Sequence, residues 1–227
     1  MILHLLGFFV AFFLTLTGAV INTAWAQTAE DPIEINADET LTWDRVNKEY
    51  KAQGNVVATK GQMNLEADQV TAYYADKATG GSDISKMIAT GNPKVTMPDK
   101  VLTANNRIEY FVSERRIEAI GRAFIQTGND TITADTIIVW LDANNKLERA
   151  EGNGNVIITT PKETATANRA TYSAKDNKAM LFNNVDIKQG QNNVKGARAE
   201  IDLTNNISKV FGSETDGERV KAIFYPK

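Results

Sequence analysis

An alanine followed by a polar residue recurs six times along this chain, as Ala37-Asp38, Ala67-Asp68, Ala104-Asn105, Ala134-Asp135, Ala167-Asn168 and Ala197-Arg198. The gaps between the alanines are 30, 37, 30, 33 and 30 residues. Four positions after each alanine stands Leu41, Thr71, Ile108, Ile138, Thr171 or Ile201, and six after it Trp43, Tyr73, Tyr110, Trp140, Ser173 or Leu203. Even spacing along an extended chain puts side chains on one face, so the repeat predicts one shared face through each unit. A second landmark follows in every unit: Gly54, Gly91, Gly121, Gly154, Asn183 or Gly212. Periods of this length mark a stacked array in which each unit buries its apolar face against its neighbours. The chain is therefore read as a long β structure with a continuous interior, either a packed core or a trough for an extended apolar ligand.

Strand signals fill the units. Ile33-Glu34-Ile35-Asn36-Ala37 alternates strictly, and the second half of each unit alternates around its glycine, as in Tyr50, Ala52, Gly54, Val56 and Ala58 or Ile117, Ala119, Gly121, Ala123 and Ile125. Period-two alternation with one apolar face belongs to an antiparallel sheet wetted on its other side. Asn- and Asp-rich turns join the runs at 143–146, 176–178 and 204–206, where those residues suit the backbone. A longer loop at 79–83 accounts for the wide second gap. Each unit thus reads as strand, turn and second strand crossing a glycine. Glycine inside a strand marks a bulge or corner. At the same height in every unit it predicts an array of bent strands, about six two-strand repeats forming an all-β, jelly-roll-like tube open at both ends.

Residues 2–21 are almost wholly apolar and lead to Ala24-Trp25-Ala26. A short apolar run ending in A-x-A is read as a secretory signal peptide, here without Lys or Arg ahead of it. Cleavage after Ala26 leaves residues 27–227 as one domain; retained, the same run is long enough to anchor the chain in a bilayer. No cysteine follows it, which excludes a lipid-anchored lipoprotein. The formal charge of −3 provides no electrostatic basis for binding nucleic acid. The chain has no Cys, and its one histidine is His4, inside the leader. A Ser-His-Asp triad, a cysteine nucleophile and His-based zinc sites are thereby excluded from the mature chain. Gly152-Asn153-Gly154-Asn155 lacks the third glycine and following helix of a dinucleotide loop. The Ala-Asp pairs fit a repeat consensus at strand turns better than a catalytic dyad. No cofactor or metal is expected.

The ordered set of segments resembles the LptA, or OstA-like, family of periplasmic lipopolysaccharide-transport proteins. The resemblance rests on Asp31-Pro32-Ile33-Glu34-Ile35-Asn36-Ala37-Asp38, on Gly54-Asn55-Val56-Val57 with Gly61-Gln62-Met63-Asn64-Leu65-Glu66-Ala67-Asp68, on Ala89-Thr90-Gly91-Asn92-Pro93-Lys94-Val95, and on Val210-Phe211-Gly212 with Gly217-Glu218-Arg219-Val220. It runs along the whole mature chain, which carries about one further repeat in its second half. It implies a twisted antiparallel β-jelly roll that stacks end to end, with a second copy and with partner domains at the inner and outer membranes. Lipopolysaccharide would move through that stack with its acyl chains sheltered. The terminal strands at 33–37 and 220–225 would then offer unpaired edges for pairing with other chains.

The apolar columns supply the expected lipid-lining residues: Ile33, Ile35, Leu41, Trp43, Val95, Met97, Ile108, Tyr110, Val112, Ile125, Ile138 and Trp140. Each is equally readable as core, since the wall of a trough is both. The family segments single out Ile33, Ile35, Tyr110 and Val112. Lys94, Arg107 and Arg122 are candidates for lipid phosphates at the rim, or plain solvated charges. Two other readings stay open. One is the membrane-anchored partner of the same system, with residues 2–21 retained. The other is a β-helical polysaccharide-acting enzyme, whose strands would be parallel; the tight Asn-rich turns favour antiparallel hairpins instead.

Overall fold

The computed structural model of the chain describes residues 33–76, 82–98, 100–143, 146–205, 207–213, 217 and 219–225. The apolar leader, residues 79–81 of the glycine loop, and positions 144–145 and 206 of two turns lie outside these. The strands are β1 Glu34–Asn36, β2 Thr40–Asp44, β3 Glu49–Lys60, β4 Met63–Asp76, β5 Ser82–Thr90, β6 Lys94–Met97, β7 Lys100–Thr103, β8 Arg107–Phe111, β9 Arg116–Thr127, β10 Asp130–Leu141, β11 Leu147–Thr159, β12 Thr164–Ser173, β13 Lys178–Gln189, β14 Asn192–Asp202, β15 Ile207–Phe211 and β16 Lys221–Ile223. All sixteen belong to one antiparallel sheet, and no helix lies among the described residues.

Four pairs of short strands share a single partner: β1 and β2 lie along β3, β5 and β6 along β4, β7 and β8 along β9, β15 and β16 along β14. Each such pair is one long strand interrupted at its middle, so the sheet consists of twelve bent courses, two for each repeat. At the usual inter-strand spacing of ~4.8 Å the stack is roughly 50 Å long. This is the antiparallel β-jelly roll that the repeats predict.

The bend has a definite chemistry. Two consecutive residues take positive φ in Gly54-Asn55, Gly91-Asn92, Gly121-Arg122, Gly154-Asn155 and Asn183-Asn184. Glycine and asparagine tolerate this region far better than other residues. The Ala-Asp dipeptide of the neighbouring course faces the bend and fastens it. The Asp38 N–H donates to the Gly54 carbonyl at 2.8 Å, Asp68 to Gly91 at 3.1 Å and Asn105 to Gly121 at 2.6 Å. The Asp38 carboxylate accepts from Asn55 Nδ2 at 2.9 Å, and Asp135 from Asn155 Nδ2 at 2.9 Å. A Cβ on Gly154 would stand 2.2 Å from Asp135 Oδ2, and one on Gly91 would stand 2.2 Å from Asp68 Oδ2. The dipeptide and the glycine are therefore one device, split between adjacent courses.

That device also decides which side chains face inward. The bend uses two residues on β3, β9, β11 and β13 but one residue on β4, β10, β12 and β14. Skipping two keeps the alternation; skipping one reverses it. On β3 the buried pair is Ala52 and Val56, four apart, whereas on β4 it is Ala67 and Val70, three apart. β10 and β12 repeat the second pattern with Ala134 and Ile137, and with Ala167 and Ala170. The face that the repeat predicts by even spacing thus holds through the bend for Leu41 and Ile108 but flips for Thr71, Ile138 and Thr171.

Inward residues of successive courses stand directly opposite one another. On one side of the bend the row Ala52, Val70, Ala89, Ile108, Ala119, Ile137, Gly152, Ala170, Leu181 and Ala199 crosses the sheet. On the other side runs Ile35, Ala58, Leu65, Val95, Leu102, Ile125, Ile132, Ile158, Ala165, Ile187 and Val194. The two rows pack against each other as a large core cluster, with a smaller one at the N-terminal end.

Gly154→Ala should destabilise the protein more than Gly128→Ala. Both positions have positive φ, which costs roughly 1–2 kcal/mol for a side chain, but around Gly128 nothing lies within 4 Å of the added Cβ. Urea unfolding of the two variants checks this; equal losses would mean that the Asp135 contact contributes nothing to the bend.

Candidate functional site

The inner face is the candidate site, and most of the sequence candidates lie on it. Val95, Ile108 and Ile125 are buried in the main cluster, Met97 packs against it, and Ile35 packs against the smaller one. Tyr110 stands on the same face, opposite Met87 and Ile117. Val112 follows β8 at the turn, its N–H donating to the Ser85 carbonyl at 3.0 Å. Leu41 lies opposite Ala52 and Trp43 opposite Tyr50, so both face inward in the first course. Ile33 precedes β1 and is exposed.

Two candidates are on the wrong face for lining the interior. Ile138 stands opposite Glu118 and Glu151, and Trp140 opposite Arg116 and Arg149. The Arg149 guanidinium covers the Trp140 ring at 3.5 Å, a cation–π contact on the outer surface. The one-residue bend at Asp135 is the cause: it hands the inner positions to Ile137 and Val139, both buried. Those two, with Val70 and Ala170, are inner residues that even-number counting from the alanine misses. The signal is present in the sequence as an apolar residue three, not four, after the alanine.

Between the middle courses the interior is filled. An apolar cavity of about 30 Å³ lies there, bounded by Ile125, Ile132, Ile137, Val139, Leu147 and Ile158. That is space for about two water molecules, less than an acyl chain fills. The inner face opens instead at the first course. Leu41 is 61 % and Trp43 53 % exposed, although Ala52 and Val70 in the same row as Leu41 are 2 % and 1 % exposed. Here Trp43 Nε1 donates to the Tyr74 hydroxyl at 3.0 Å. Tyr50 stands between them, its ring centroid 5.7 Å from Trp43 and 5.1 Å from Tyr74. The Arg45 guanidinium lies 4.2 Å above the Trp43 ring.

Towards the turns on the far side of the bend the inner surface becomes polar, with Lys100, Thr127, Thr160 and Glu163 buried. Glu163 Oε1 accepts from Gln189 Nε2 at 2.8 Å, and its N–H donates to Thr160 Oγ1 at 3.1 Å. Burial pushes the Asp130 carboxyl upward. On the outer face, cations and carboxylates of adjacent courses pair: Lys86 with Glu109 at 2.7 Å, Lys178 with Glu200 at 3.7 Å, and Arg169 with both Glu151 oxygens at 2.9 Å. Of the rim cations, Arg107 is paired with Glu109 and Lys94 with Glu66 at 3.6 Å, while Arg122 is exposed within a bend. The Ala-Asp carboxylates serve the bends. Among the described residues no group of His, Cys, Asp and Glu is placed to hold a metal ion.

The fold and this face define a class: repeat-built antiparallel β-jelly rolls whose apolar inner surface runs from one terminal course to the other. The family model described as LptA/(LptD N-terminal domain) LPS transport protein matches residues 34–139 and 121–207, and the chain belongs to that family. Among solved structures it is similar to LptH of Pseudomonas aeruginosa, described as the LptA homologous periplasmic component of the conserved lipopolysaccharide transport device. Identity there is 13 %, over 86 % of this chain and 96 % of that one, with a TM-score of 0.26. No curated protein matches the chain.

Glu109 makes the outer face sensitive to acid. Burial alone would raise its pKa, but hydrogen bonds from Arg107 and Lys86 outweigh burial and hold it below the ordinary 4.5. A carboxylate depressed in the fold contributes stability that is complete above its unfolded value and is lost as the pH falls through the folded one. The chain should therefore lose stability more steeply below pH 4.5 than Glu109→Gln does. Urea midpoints measured against pH check this, and parallel curves would contradict it.

Proposed function

We propose that the protein is a periplasmic carrier of lipopolysaccharide, delivered through a cleaved leader, that shelters acyl chains on its inner face between the inner and outer membranes. The observation that carries this reading is the unbroken apolar inner row, from Leu41 to Val210, in a chain of this family. Exposing an acyl chain to water costs about 0.8 kcal/mol per CH₂, and an apolar surface removes that cost with no chemistry. The reading assigns no catalysis, cofactor or nucleic acid to the chain.

The ends support assembly. At one edge β1 and β2 pair only with β3, and at the other β15 and β16 pair only with β14, among the described residues. Their outer backbone groups are free to add a strand. Head-to-tail addition leads to open filaments, with a further copy, an inner-membrane anchor protein and an outer-membrane translocon as the partners. The filled middle adds one requirement: the two sides of the bent sheet part when acyl chains pass, pivoting on the bends.

Photoreactive residues at Ile35 and Tyr110, with exposed Lys175 as control, test the reading in cells. Lipopolysaccharide adducts at the two inner positions and none at Lys175 are expected. A folded, exported protein with no adduct at either inner position would overturn it.

A further inference from the structure

We propose that the open first-course end of the inner face is a discrete site for one acyl chain of an anionic amphiphile, with Leu41, Trp43, Tyr50 and Tyr74 holding the chain and Arg45 meeting the charged head. This rests on the lipid-carrying reading above and adds to it a place, a set of residues and a headgroup charge.

Three observations converge here. First, the inner face has large exposed apolar side chains in this course, where Leu41 and Trp43 continue rows that are closed deeper in the sheet. Second, the polar tips of the aromatic cluster satisfy one another, Trp43 Nε1 donating to the Tyr74 hydroxyl at 3.0 Å. The indole N–H is thereby used within the cluster, while Trp43 as a whole stays 53 % exposed. Third, Arg45 lies over a ring of the inner face, whereas Arg149 over Trp140 and Arg198 over Phe211, which among the described residues are likewise in no ion pair, lie over rings of the outer face. Arg116 is tied to Glu114 and Glu118, and Arg169 to Glu151. Among the described residues Arg45 is in no ion pair; it lies 4.2 Å over the Trp43 ring with its charge available. Neighbouring charges do not compete for it: Asp44 accepts from the Val46 and Asn47 N–H groups, and Lys48 pairs with Asp76 at 2.5 Å.

The packing deeper in fixes the occupant as a single chain end rather than a whole lipid. The middle cavity of about 30 Å³ stops a chain from running on until the walls part. The site is therefore a first station, occupied before the sheet opens. A cation above an aromatic ring suits an amphiphile well, because carboxylate or phosphate meets guanidinium while methylenes cover the ring.

Single-tryptophan variants test this, because Trp43 and Trp140 stand on opposite faces. In the mature chain, which leaves Trp25 behind with the leader, Trp140→Phe reports Trp43 and Trp43→Phe reports Trp140. The probe is dodecanoic acid brominated at its far end, which quenches indole emission on contact. Saturable quenching of Trp43 and none of Trp140 is expected. Arg45→Ala should weaken it about tenfold, the loss of one charge-assisted contact. Dodecyl phosphate should displace the probe at about tenfold lower concentration than dodecanol, which separates headgroup charge from chain length; displacement by both alike would overturn Arg45's role. No quenching of Trp43 in a protein that still co-purifies with lipopolysaccharide would overturn the site and leave the carrier reading intact. Loss of both would sink the carrier reading itself. A blue shift of Trp43 that grows with protein concentration alone, with no quenching by the probe, would assign the end to a second copy and overturn the site.

Discussion

Two residues in the left-handed region at the middle of a strand, clamped by the polar side chain of the next strand, make this molecule possible. Without them each course would run straight, and a single flat sheet of this length would leave one apolar face in water. With them the sheet folds on itself, and its two sides bury each other. At four of the five bends glycine serves the clamp for two reasons, its φ and the space that Glu39, Asp68, Asn106 and Asp135 occupy beside Gly54, Gly91, Gly121 and Gly154, while Asn183-Asn184 makes the fifth without it. It also needs the acceptor at the opposing position, since Asn55 and Asn155 donate to Asp38 and Asp135. This is why alanine-aspartate and glycine-asparagine recur together in the sequence.

The same bend determines how much of the site is legible before a structure exists. The repeat reveals the bend, the alternation reveals the strands, and Ala52, Val56, Ala119, Ala123 and Ile125 fall inside as their spacing implies. Ile138 and Trp140 do not. Their spacing from Ala134 is even, but one course spends two residues at the bend and its neighbour spends one, so the faces exchange. That asymmetry belongs to the pairing of two strands and not to either alone. Trp140 then finds a different use for its ring, under the Arg149 guanidinium on the outer surface. Aromatic rings at even spacing are ambiguous for this reason: cation–π cover makes an outward ring as comfortable as an inward one.

The interior is neither simply a core nor simply a trough. Small residues at the bend rows, such as Ala119, Ala123, Ala134 and Ala199, bring the two sides so close that the middle is packed. The terminal courses have a neighbour on one side only, and there the same inward pattern leaves Leu41 and Trp43 in contact with solvent. Apolar continuity and openness are therefore separate properties of this sheet. Continuity comes from the register of the courses, and openness from where the stack ends.

The most direct measurement is a cysteine scan through the second half of β10, in a chain that has no cysteine of its own. Thr136→Cys, Ile138→Cys and Trp140→Cys should react with a charged maleimide, and Ile137→Cys and Val139→Cys should be protected until the protein is unfolded. Protection of positions 138 and 140 with reaction at 137 and 139 would mean that alternation runs unbroken through the bend, and would contradict the inner face described above.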